Sequence, residues 1–146
     1  MIRPGTVDAS LQRVDLTGNN WGIETYDCAY LVVTDSTLSQ NGFGIFTQSA
    51  LGKAALIAID RSSVSRNFYG VDIGGVGPIY ATITGSTIMN NGHGLTAEHG
   101  ETRLAGTTIA QNLIGIKGVG VVYSQGNNFI FGNATEGPAP TVVGSK

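Results

Sequence analysis

Apolar residues recur along this chain in three separate columns rather than in one amphipathic stripe. One column reads Leu11, Val33, Ile59, Ile83 and Leu104; a second reads Leu16, Leu38, Val64, Ile88, Ile109 and Ile130; a third reads Ile23, Ile45, Val71, Leu95 and Ile116. Around them polar and apolar residues alternate, as in VTDSTLSQN and ATITGSTIMNN. Alternation with period two over a few residues describes a strand with every second side chain inward. The chain is therefore predicted to lay down three short strands, then three more, in a repeating order. Helical repeats are excluded, because they need about ten or more residues at a 3.6-residue period, and Gly, Ser, Thr and Asn break every such window.

Asparagine keeps the columns in phase. GNNWGI, QNGFGI, RNFYGV, NNGHGL and QNLIGI share the form Asn-x-x-Gly-aliphatic, at Asn19, Asn41, Asn67, Asn91 and Asn112. The steps are 22, 26, 24 and 21 residues, and a further 21 reaches Asn133. A period near two dozen is that of a solenoid, whose turns cannot bury their apolar side alone. The expected fold is all-β: a single-stranded parallel β-helix with three short strands per turn, about five full turns and a partial sixth, stacked about 4.8 Å apart. The asparagines are expected to form a ladder of side-chain amides inside one corner, since each amide both donates and accepts. The glycines three places on, from Gly22 to Gly115, fit either an unusual dihedral or a close backbone approach.

Residues 1–10 read as a lead-in segment, in which Pro4 and Gly5 oppose a regular strand. Residues 11–133 read as the β-helix, and 134–146 as a C-terminal tail or cap whose two prolines end pairing. No amphipathic helix covers the open first turn, so the chain is expected to come from a longer solenoid or to associate with a second copy through its ends. The segments 47–55, 73–79 and 97–102 vary in length while the asparagine side does not, and the face of a solenoid that takes insertions often binds.

The repeat N-x-I-x-x-N-x-x-G-I, clearest in STLSQNGFGI and STIMNNGHGL, resembles the right-handed parallel β-helix repeats of the pectin-lyase-like family. The resemblance covers about residues 10 to 133 and implies a right-handed coil. It leaves activity open, because that family holds polysaccharide lyases, hydrolases and epimerases alongside tailspikes and adhesins.

Composition narrows the partners. The 146 residues suit one domain, and only 12% are charged, with a formal net charge of −2 and no Lys/Arg cluster. No nucleic acid and no membrane insertion is expected from such a surface. Cys28 stands alone, so no disulfide framework and no thiolate metal site is expected. No signal peptide is recognisable, yet the abundant Ser, Thr, Asn and Gly resemble secreted or surface solenoids of bacteria, which favours an extracellular or cell-surface location.

Candidate chemistry is sparse, and no cofactor is expected. Asp35 and Asp60 lie on adjacent turns and could form a hydrolase pair, but Arg61 occupies the column of Asp35 and makes a surface ion pair the plainer reading. A lyase would gather Glu24, Asp27 and Asp72 around Ca²⁺ with Lys117 or Arg103 as base, although three carboxylates spread over three turns make a poor cage. His93, Glu98, His99, Glu101 and Arg103 could serve as an acid–base or weak metal set, or as a solvated loop. Trp21, Phe43, Tyr69 and His93 form a ring column two places after each asparagine. Parity with Ile23 and its equivalents predicts that these rings point inward. Hydroxyl pairs such as Thr37/Ser39 and Ser63/Ser65 resemble the flat faces of ice-binding solenoids. The expected function is a noncatalytic scaffold or weak polysaccharide-binding module, with Glu24, Phe46, Asp72, Glu98 and Lys117 as its binding surface; a carbohydrate-active enzyme and an ice-binding solenoid are the alternatives.

Overall fold

A computed structural model describes residues 7–27, 29–50 and 52–143. The first turn comprises β1 (Val7–Gln12), β2 (Asp15–Thr17) and β3 (Trp21–Tyr26), and the second β4 (Ala29–Thr34), β5 (Thr37–Ser39) and β6 (Phe43–Ser49). The third comprises β7 (Ala55–Asp60), β8 (Ser63–Ser65) and β9 (Tyr69–Gly75), and the fourth β10 (Ile79–Thr84), β11 (Thr87–Met89) and β12 (His93–Ala97). Next come β13 (Glu101–Ala105), β14 (Thr108–Ala110) and β15 (Ile114–Lys117), then β16 (Val121–Ser124), β17 (Phe129–Phe131) and β18 (Thr141–Val142). Every pairing is parallel and joins a strand to its equivalent one turn on, giving three sheets and a right-handed solenoid of about six turns. That is the hand parallel crossovers take.

The three apolar columns meet along the axis. Val33, Leu38, Ile45, Ile59, Val64, Ile83, Ile88, Leu95 and Ile109 are at most 1% exposed, one or more from every sheet. Such burial on three sides explains why strands of three residues persist in the second sheet. In the first turn Leu11 and Leu16 are only partly buried, because they have neighbours along the axis on one side among the described residues.

Two corners are built alike. At one, a left-handed residue precedes each asparagine: Gly18, Gln40, Arg66, Asn90, Gln111 and Gly132, with φ between 57 and 76°. At the other, Arg13, Asp35, Arg61, Gly85 and Gly106 hold φ between 44 and 57°. They precede Val14 and then the inward Ser36, Ser62, Ser86 and Thr107. A single left-handed residue turns the chain sharply, and the polar side chain after it satisfies backbone groups exposed by the turn. Thus Ser36 N–H donates to Ser62 Oγ at 3.1 Å and Ser62 N–H to Ser86 Oγ at 3.1 Å.

The asparagines do the same at the other corner. The backbone N–H of Asn41, Asn67, Asn91 and Asn112 each donates to the Oδ1 of the next asparagine at 2.9 Å. The Nδ2 groups turn the other way as well: that of Asn67 donates to the carbonyl of Leu38 at 3.1 Å and to Asn91 Oδ1 at 3.1 Å. Asn19 begins the row with an exposed side chain, its N–H donating to Asn41 Oδ1 at 2.8 Å. The row runs on to Asn133, whose Nδ2 donates to the Glu136 carboxylate at 2.6 Å.

The glycines three places on need room rather than a special dihedral. A Cβ on Gly44 or Gly70 would lie 2.6 Å from the carbonyl oxygen of the equivalent glycine one turn on, and neither has a positive φ. At both ends the expected boundaries shift. β1 already begins at Val7, inside the stretch expected as a lead-in; Pro4 and Gly5 lie outside the described residues, as do Met1 and Cys28. The tail expected to end pairing adds one more strand, since Thr141 and Val142 pair with Tyr123 and Ser124. Pro138 and Pro140 lack N–H groups only at their own positions, and pairing resumes directly after them.

Candidate functional site on the third sheet

The third sheet carries an outer face of three columns. The first is Trp21, Phe43, Tyr69, His93 and Ile114, partners in unbroken register. The second is Glu24, Phe46, Asp72, Thr96 and Lys117, equally in register. Two residues further along each turn stand Tyr26, Gln48, Gly74, Glu98 and Val119, where the strands run out into the loops of varying length. From the first turn to the fifth the face spans about 19 Å at about 4.8 Å per step.

The rings do not enter the core, which corrects the parity argument. Trp21 is 42% exposed and Phe43, Tyr69 and His93 are half-buried. The cause lies in the intervening glycine. Register passes from Trp21 to Ile23 and from Phe43 to Ile45 while skipping the glycine between. The missing Cβ at that glycine is aimed at the asparagine row, within 3.1 Å of Asn41 Nδ2 for Gly22. Two successive positions, glycine and aliphatic, therefore face inward, and the ring before them is turned out.

Once outside, the rings pile on one another. Centroids lie 6.4 Å apart for Trp21 and Phe43, 4.7 Å for Phe43 and Tyr69, and 4.6 Å for Tyr69 and His93. Phe43 and Tyr69 are within 8° of parallel. Phe46 meets Phe43 edge-on at 5.1 Å, and Phe68, 63% exposed, stands at 79° to Tyr69. Piled rings show solvent their edges, so the column forms an apolar wall, and exposed ring surface comes from Trp21 and Phe68 at its flank.

Beside the wall runs a polar strip. Tyr26 donates its hydroxyl to Glu24 at 2.6 Å. Asp72 is half-buried, and that burial, with the negative charge of Glu98 added and the positive charge of Lys117 opposing, pushes its carboxyl up to about 6. Glu98 sits one turn along and two residues over, about 8 Å away in Cα terms from the strand spacings. Burial and Lys117 both lower the His93 pKa, so its ring is neutral at pH 7. Thr96, between Asp72 and Lys117, is 4% exposed. Its Oγ1 and the Nδ1 of His93 are buried without a hydrogen-bond partner among the described residues.

Four of the five expected binding residues, Glu24, Phe46, Asp72 and Lys117, thus share one column, and Glu98 stands diagonally across from Asp72. Sequence reasoning left out Tyr26, Phe68 and Thr96, and turned the ring column the wrong way. The signal for the rings was the invariant glycine after them.

The other candidates separate. Arg61 pairs with Asp35 at 2.8 Å and also with Asp60, which further accepts from Thr84 Oγ1 at 2.6 Å. Those two carboxylates are engaged, and the guanidinium beside Asp35 lowers its pKa. Asp27 accepts from the Ala50 N–H at 2.7 Å. Arg103 lies on the first sheet with Glu101, so neither joins Asp72 or His93. Among the described residues no three His, Cys, Asp or Glu side chains gather to hold a metal ion. The hydroxyl columns of the second sheet give way to Met89, Ala110, Phe129 and Phe131. No helix among the described residues is long and apolar enough to cross a membrane. Comparison with protein-family models, with curated proteins and with solved structures gives no match.

Proposed function

We propose that this chain is a noncatalytic β-solenoid module that binds polysaccharide lengthwise along its third sheet, within a larger surface or secreted protein. One observation carries the reading: the row from Trp21 through Phe43 and Tyr69 to His93 faces outward beside a polar strip in register with it. A sugar polymer has the matching build, with apolar C–H faces and a fringe of hydroxyls. A rigid parallel sheet holds both halves of the surface without ordering cost on binding. Five turns offer a track for several sugars in line, so affinity accumulates from individually weak contacts.

The test is a glycan array probed with the wild type and with Trp21→Ala and Phe68→Ala, each variant first shown to unfold at the wild-type temperature. Both side chains are exposed, so their loss should leave the fold intact and weaken binding about two- to tenfold, the range of about 0.5–1.5 kcal/mol per stacked ring. Absence of binding to every glycan removes the reading and leaves a bare scaffold. The enzyme reading draws on Asp72, a carboxyl held near neutrality across from a second carboxylate. Release of reducing ends from any bound glycan, abolished by Asp72→Asn, is the result that would establish it in place of a binding module.

A further inference from the structure

We propose that the third sheet selects neutral over acidic polysaccharides, the Asp72 and Glu98 carboxylates accepting sugar hydroxyls while their charge turns away polymers that carry carboxylates of their own. This deepens the polysaccharide-binding reading and rests on it. The charges facing the site can be counted element by element. β9 supplies Asp72, β12 supplies His93 and leads into Glu98, β15 supplies Lys117, and β6, on the other side, carries Phe46 and Gln48 but no charge. With His93 neutral, Asp72 and Glu98 outnumber Lys117, and Glu24 adds a further negative charge two turns away in the same column. The chain as a whole has a net charge of −2 and does not offset this.

Lys117 alone could attract an acidic sugar, but the carboxylates dominate the local field. At Asp72 the influence of Glu98 ranks ahead of that of Lys117. A second, independent observation points to a ligand. Thr96, nineteen-twentieths buried between Asp72 and Lys117, has no partner for its Oγ1, and neither has the Nδ1 of His93 on the same turn. Buried polar atoms left unpaired are costly, and a ligand hydroxyl reaching them could both donate and accept. A sugar's hydroxyls provide such groups, and an acidic sugar brings them only together with a carboxylate that Asp72 and Glu98 repel.

The experiment measures binding of neutral polymers (a glucan, a xylan and a galactan) and of polygalacturonate at low salt, well above and well below pH 6. Above pH 6 a neutral polymer should bind about two- to thirtyfold more tightly than polygalacturonate, the range of one charge interaction at about 8 Å between a water-like dielectric and that of a protein surface. Below pH 6 Asp72 gains its proton, and the preference should narrow. Asp72→Asn and Glu98→Gln should narrow it above pH 6 as well, in variants that unfold cooperatively at or above the wild-type temperature. Polygalacturonate binding as tightly as the best neutral polymer, or more tightly, overturns the selectivity and leaves polysaccharide binding standing. If no polymer binds, both fall together.

Discussion

Gly70 has no freedom to become anything else. A Cβ there would meet the Gly94 carbonyl oxygen at 2.6 Å and Asn91 Nδ2 at 3.0 Å, two groups fixed by the next turn. Gly70→Ala is therefore expected to cost about 1–3 kcal/mol, as overpacking does elsewhere. Gly74, four residues on, finds its nearest atom at 3.9 Å and has no positive φ, so Gly74→Ala should be neutral or slightly stabilising. Denaturant unfolding of the pair checks the contrast, and equal effects would show that close approach is not what the repeat glycine serves. Asp72 has a different residue-level cost. Its folded pKa of about 6 lies above the ordinary 3.8, so the folded state holds its proton more tightly than the unfolded chain. Its ionisation destabilises the fold above pH 6, and the penalty fades as pH falls from 6 towards 3.8. For a half-buried group, screening reduces the effect to about 1–2 kcal/mol. Asp72→Asn should gain that much stability at pH 7 and almost nothing at pH 4, which thermal unfolding at the two pH values will measure.

At the level of elements, the strands were legible because each is marked by an aliphatic residue buried from every side. Leu38 or Ile88 in the second sheet cannot be anything but core, and the steps between asparagines set the stacking directly. The serine corner was written as plainly, five residues ahead of each asparagine from Asn41 to Asn91, but Ser reads equally well as exposed strand until its partners are known. The ring column failed for a physical reason. Alternation assumes that each residue rotates the chain by the same amount, and Gly44 or Gly70, packed against the amide row, adds a step that alternation does not count. The site inherited that error: its polar strip could be named from the sequence, while the wall beside it had been placed in the core. The amide row itself can be tested at its centre. Asn67→Leu strands the Asn41 N–H and the Leu38 carbonyl and takes one donor away from Asn91 Oδ1, and should cost about 1–3 kcal/mol. Loss of amide protection in hydrogen exchange should centre on the second and third turns; uniform loss along the whole chain would show that the row does not act locally.

Across the described residues each turn touches only its neighbours, and the first has a neighbour on one side only. Leu11 and Leu16 keep partial exposure, and β1, β2 and β3 are the outer strands of their sheets. Backbone groups on such an edge pair readily with another chain. Light scattering should show a mass that grows with concentration, and a strict monomer at high concentration would count against association through the ends.

The hydrogen bonds between turns point along the axis while the chain runs around it, and this governs how the molecule yields to force. Pulled from its two ends, it presents its bonds in tension, a few at a time, rather than in shear all together. Equivalent asparagines are 21 to 26 residues apart, so each turn that peels away should release about 70–90 Å of extended chain. Single-molecule extension should show low, evenly spaced rips of that length, with the Asn67→Leu chain yielding first at its altered turn. One high-force event releasing the whole chain would mean that the turns hold together more strongly than nearest-neighbour contacts allow.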